Sequence, residues 1–187
     1  MSPEERMSPV ELYWEPIAAL PEGEPETSFG GRWEDRLWLN VPGPFYTGVA
    51  DNCWTGRLYA PRHVLYGGEY FGEYVFRQPA TTVEVQNLVT AAQDDPYRGY
   101  ACDGDSRWTP DGVRDWWRDR GEVTEYLESL LPGWSSSDRP EEREAAGGLR
   151  DFAAYITEGL DADLRKYLFR LEEGCYPKSA GPLPELR

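Results

Sequence analysis

The period of the apolar residues changes at Thr81, and no other feature of the sequence constrains the fold as much. Before that point, residues 32–80 are short runs of rings and branched side chains. They are cut by Pro42-Gly43-Pro44, Ala50-Asp51-Asn52 and Gly67-Gly68. Runs of this kind between turn residues read as strands of an antiparallel sheet. After it, apolar residues recur at three and four positions, the spacing of a helix face. Strands first and helices after predict an α+β fold, with an N-terminal antiparallel sheet (about 33–78) packed by C-terminal helices (about 81–173). Helices are expected only after about residue 80.

Residues 32–39 mix rings and charges and predict a first strand. Phe45 to Val49 and Cys53 to Tyr59 flank a candidate hairpin turn, and His63 to Tyr66 and Tyr70 to Arg77 form a second pair. Thr81 and Glu84 make a capping box, in which each side chain satisfies an orphan backbone donor of the first turn. Val85, Leu88, Val89 and Ala92 follow on one face. Thr109-Pro110-Asp111 starts another helix, with Pro where its missing N–H is harmless. Gly121 should interrupt that helix, and Gly147-Gly148 should weaken the next. Asp161 can cap a last helix that Gly174 closes. The chain divides into an arm (1–31) anchored by Glu11-Leu12-Tyr13-Trp14, one α+β domain (32–175) and a loose tail (176–187). Both ends, 1–8 and 180–187, are expected to contribute few buried contacts.

A chain of 187 residues suits one domain. Its eight Trp, twelve Tyr and six Phe allow a core built from few positions. The net charge of −15 repels phosphate backbones and anionic lipids, so nucleic-acid and membrane-surface binding are not expected. A basic protein partner or a cationic ligand is compatible with it. Lys166 and Lys178 are the only lysines against seventeen arginines, which suggests a GC-rich bacterial genome. Cys53, Cys102 and Cys175 are odd in number and far apart, unlike a disulfide framework. No apolar run is long enough to span a membrane, and the acidic start lacks the apolar stretch of a signal peptide. The cytoplasm is the expected address.

Cys53 and His63 are the one candidate thiol–imidazole pair, with Asp51 available to orient the ring. The alternative reading of Cys53 is a small hydrophobe beside a turn. Three scattered cysteines and one histidine offer no closely spaced ligand pair, so no metal, iron–sulfur cluster or other cofactor is expected. Asp103-Gly104-Asp105 opens like a calcium loop, but Trp108 stands where the loop needs glycine. No phosphate-binding, nucleophile-elbow or zinc-protease motif is present.

Two turns, 51–57 and 100–108, each combine aspartate, cysteine, tryptophan and arginine. Asp51, Trp54, Arg57, Asp103, Asp105, Arg107 and Trp108 are therefore candidate binding residues. Carboxylates beside indole faces would hold a cationic group, if the turns share one surface. The competing reading is that the rings are core and the acids cap turns.

Gly43-Pro44-Phe45-Tyr46, Asp51-Asn52-Cys53-Trp54-Thr55-Gly56-Arg57, Phe76-Arg77-Gln78-Pro79 and Tyr100-Ala101-Cys102-Asp103-Gly104-Asp105 resemble stretches of small, acidic, Trp-rich hypothetical proteins from GC-rich soil bacteria. The resemblance covers about the middle half of the chain and implies no particular activity or site. In general character the chain is similar to acidic accessory and immunity proteins. The reading that follows is a non-catalytic binding protein capturing a basic protein partner. The alternative is a small enzyme or ligand-binding protein with a pocket around Cys53, His63 and the Asp103 loop.

Overall fold

The computed structural model describes residues 15–187, so the Glu11-Leu12-Tyr13-Trp14 anchor lies outside the described residues. Glycine and one buried asparagine decide how the N-terminal half is put together. Strand β1 (Tyr46–Thr47) pairs antiparallel not with its neighbour in sequence but with β4 (Tyr100–Ala101). A Cβ on Gly31 would stand 2.2 Å from the Gly99 carbonyl oxygen, and one on Gly99 would stand 2.1 Å from that of Val49. Three backbone segments stack there because neither glycine has a side chain. The hairpin expected around Ala50-Asp51-Asn52 does not form. Its second arm is instead a helical turn, α2 (Gly56–Tyr59), preceded in the chain by a short α1 (Glu24–Ser28).

Strands β2 (Val64–Gly67) and β3 (Gly72–Val75) do form the hairpin expected from Gly67-Gly68, with Gly68 at φ +77°. The two ladders do not merge into one sheet because the side chain of Asn40, fully buried, stands between them. Its Oδ1 accepts from Thr47 N at 3.0 Å and Val75 N at 2.9 Å, and its Nδ2 donates to Leu37 O and Thr47 O, both at 2.8 Å. One amide thus takes the place of a strand. Residues 32–39, expected as a strand, turn through a 3-10 segment at Trp33–Asp35 to deliver Asn40.

The helices follow the expected order. Thr81 Oγ1 accepts from Glu84 N at 3.2 Å and starts α3 (Thr82–Asp94), while the Glu84 carboxylate accepts from Ala80 N at 2.7 Å. Helix α4 (Pro110–Ser135) runs unbroken through Gly121, an exposed position with open space around it. Helix α5 (Pro140–Glu158) crosses Gly147-Gly148 without a break. Gly148 is a packing device: a Cβ there would come within 2.6 Å of Arg57 and 2.7 Å of Leu65. Helix α6 (Leu160–Glu173) begins after Gly159 rather than at an Asp161 cap, and Gly174 ends it at φ +76°. The fold is α+β and mostly helical. Among the described residues, two short α-helices precede residue 80 and one strand follows it, against the strict segregation expected.

The β2–β3 hairpin lies between two apolar clusters. The opposed pair Val64 and Val75 joins Phe45, Val85, Leu88, Val89 and Tyr100 under α3. The next pair, Leu65 and Tyr74, joins Trp116, Leu127, Leu149, Phe152, Leu164 and Leu168 from α4, α5 and α6. The tail expected to be loose is docked at its end. Leu186 is buried in the larger cluster, and Arg165 donates to the carbonyls of Leu183 and Pro184. Among the described residues, no helix is long and apolar enough to cross a membrane.

Candidate functional site

The candidate thiol–imidazole pair is not assembled. Cys53 is exposed on its turn, and its thiol faces Asp51, whose hydrogen bond and charge push the thiol pKa up. A thiol held that way is a poor nucleophile. His63 is buried on a different side of the fold, with Nδ1 2.9 Å from Arg77 O and Nε2 3.7 Å from Glu84 Oε1. Burial lowers its pKa, so the ring is neutral near pH 7, with Nδ1–H donating to the carbonyl. The cleft beside it is lined by Arg62, Thr81, Val83, Glu84 and Asn87, not by Cys53. The Asp103 loop is elsewhere again, with Asp103 accepting from the Tyr46 hydroxyl at 2.7 Å and Arg107 Nε at 2.8 Å. The residues of the alternative pocket are therefore in three separate places. Among the described residues, no group of three His, Cys, Asp or Glu side chains is placed to hold a metal ion.

The two turns do not share a surface. The β1–β4 ladder is antiparallel, so chain leaving β1 runs beside chain entering β4, and the reverse. Asp51 N accordingly bonds Asp95 Oδ1 at one end of the ladder, and Gly104 N bonds Pro44 O at the other. Trp54, partly buried, packs on Tyr66 at 4.2 Å and on Trp134 at 5.2 Å, against the larger cluster. Its backbone is left-handed at φ 68°, held by the Asp51 turn. Arg57, expected to bind a partner, is buried and internally paired. It bridges α2 to Glu144 of α5 through Nε at 2.7 Å and Nη2 at 2.5 Å, and donates Nη1 to the carbonyls of Pro61 and Val64. Asp105 is tied to Arg170 at 3.4 Å and faces the Tyr167 hydroxyl, with burial raising its pKa.

Asp51 belongs to a buried acidic group that the sequence reading did not anticipate. Glu73, 1% exposed, points from β3 to the start of α2, accepting from Gly56 N at 2.7 Å and the Tyr100 hydroxyl at 2.6 Å. Burial, with Asp95 and Asp51 adding, raises its pKa to about 7 against the lowering effect of the two hydrogen bonds. Asp95 holds the backbone N–H groups of Asp51, Tyr97 and Gly99. These carboxylates staple two loops together and line no cleft named here.

Two of the seven candidate binding residues, Arg107 and Trp108, line a cleft of about 560 Å³. Trp33 and Trp38 form one side, and Asp115, Trp116, Asp119 and Glu122 of α4 form the other. The acids share a face because they are spaced by four and three residues. Asp115 is bridged to Arg118 at 2.8 Å. Trp33 and Trp108 meet edge to face at 5.1 Å, and the Arg36 guanidinium lies over both rings at 4.4 and 4.3 Å. Among the described residues Arg36 has no carboxylate partner, its Nε and Nη1 are buried without an acceptor, and burial lowers its pKa. The two indole faces are its contacts at the guanidinium. Trp38, 41% exposed, remains open at the rim. The sequence signal for this cleft was the run Asp111, Asp115, Asp119, Glu122 on one side of a helix whose other side carries the apolar stripe. No protein-family model, curated protein or solved structure matches the chain.

Proposed function

We propose that this is a non-catalytic cytoplasmic binding protein, of accessory or immunity type, that captures a basic protein partner in the Trp–acid cleft and binds neither nucleic acid nor membrane. The observation that carries the reading is the pairing of Asp115, Asp119 and Glu122 with Trp38 across one cleft. Carboxylates supply charge and the indole face supplies a cation–π seat, which together select an arginine or lysine side chain. Arg36, seated on Trp33 and Trp108, is an internal instance of the indole contact alone. The overall charge of −15 steers a basic partner toward the surface. The separation of Cys53 from His63 supports the binding reading over the thiol-enzyme alternative.

The test is a titration with an oligoarginine peptide, read by tryptophan fluorescence and calorimetry. Asp119→Asn with Glu122→Gln should weaken binding about tenfold with the melting temperature unchanged, and Trp38→Ala about fivefold with a modest loss of stability from its contact with Tyr126. Binding that ignores all three substitutions would overturn the reading.

A further inference from the structure

A second, smaller cavity lies between the loop at Pro42 and Pro44, the segment at Pro79, and helix α6. Its volume is about 160 Å³, and Tyr155, Leu164 and Tyr176 complete its walls. The walls are stiff. Proline rings fix their own backbone, and Gly43 lies so close to Gln78 that a Cβ there would stand 2.2 Å from it. Gln78 in turn is fixed by bonds to Phe45 N, Val41 O and Phe45 O at 3.1, 3.0 and 2.8 Å. Leu164 and Tyr167 on the opposite wall belong to the larger cluster. A cavity of about this size accepts one six-membered ring.

The amide of Gln78 is engaged by the backbone at both its oxygen and its nitrogen. The charged group at the cavity is Asp163, whose Oδ2 accepts from the Tyr155 hydroxyl at 2.7 Å and whose Oδ1 is 3.8 Å from Lys166 Nζ. We infer that this cavity binds a small amine carrying a single six-membered ring, with the ring among the prolines and Leu164 and the ammonium on Asp163. A stiff apolar slot with one carboxylate beside it distinguishes such a ligand from a neutral ring and from a ringless amine. The site is independent of the Trp–acid cleft, and neither result bears on the other.

The experiment is an NMR titration of the full chain with benzylamine, benzyl alcohol and n-butylamine, following the methyl groups of Leu160 and Leu164. Benzylamine should give saturable shifts there, with a dissociation constant on the order of 1 mM. Benzyl alcohol and n-butylamine should each bind about tenfold more weakly. Asp163→Asn, at an exposed position, should lower benzylamine affinity to that of benzyl alcohol and leave benzyl alcohol unchanged. Absence of saturable shifts at these methyls overturns the site. Equal binding of benzylamine and benzyl alcohol, or indifference to Asp163→Asn, overturns the assignment of an amine.

Discussion

Replacing Glu73 by Gln should make the protein more stable above neutral pH and change little near pH 4.5. The carboxyl of Glu73 is 1% exposed, and its pKa is raised from 4.5 to about 7. A folded state that holds a proton more tightly than the unfolded chain loses stability as pH rises between the two values. The contribution is fully present below the unfolded value and gone above about 7. A gap of about 2.5 pH units corresponds to about 3 kcal/mol. Glutamine is the same size, can accept from Gly56 N, and can donate to the Tyr100 oxygen, so both hydrogen bonds survive without a charge beside Asp51 and Asp95. His63, whose pKa is lowered, has the opposite slope below its ordinary value, and Asp95 and Asp105 have the same slope as Glu73. The His63 and Asp105 contributions cancel when variant and parent are compared at each pH, and easing of Asp95, which faces Glu73, adds to the variant's advantage in the same direction. Urea unfolding followed by tryptophan fluorescence at pH 4.5, 6 and 8 measures the difference. The variant's advantage should grow by about 3 kcal/mol across that range. A difference that stays flat with pH would show that Glu73 titrates near its ordinary value, and the argument would fail.

Asn40→Ala should cost about 3 kcal/mol or more in chemical denaturation, because Thr47 N and Val75 N lose a buried acceptor together. A loss below about 1 kcal/mol would mean that water or a shifted strand replaces the amide. Removing residues 183–187 should lower stability by about 2 kcal/mol, through loss of the Leu186 side chain from the larger cluster and of the carbonyl partners of Arg165. An unchanged melting temperature in the shortened chain would restore the reading of the tail as loose.

What could be read from the sequence was what is local. The Thr81–Glu84 box sits within one turn, and the β2–β3 hairpin closes through adjacent glycines, so both left a short-range pattern. The β1–β4 pair left none, since Tyr46 and Ala101 meet only because distant glycines let three backbones stack. Asn40 was illegible for a related reason: one side chain replacing a strand has no period. Gly121 and Gly148 misled in opposite ways. The first is an exposed helix position without consequence, and the second makes room for Arg57 and Leu65. At the candidate site, Trp108 and Arg107 were found through their turn. Trp38 and Asp119 were missed because only the packing of α4 against the 33–38 segment brings them to one cleft. Arg57 looked like a recognition residue, but its donors all have partners inside the fold.

The hairpin sandwiched between the two apolar clusters has a further consequence for biogenesis. A ribosome has finished β2 and β3 once Val75 has been made, yet α3 ends at Asp94, the partner of β1 arrives at Tyr100, and α6 ends at Glu173. Until those segments emerge, Leu65 and Tyr74 lack the cover of α4, α5 and α6, and the nascent chain carries an incompletely covered apolar ribbon. Contacts of such long sequence separation also form slowly. Cut near residue 80, the chain leaves no half with a core of its own, since each cluster draws side chains from both sides of the cut. The larger cluster is therefore complete only once α6 has been made, since Leu164 and Leu168 belong to it together with Leu65 and Tyr74.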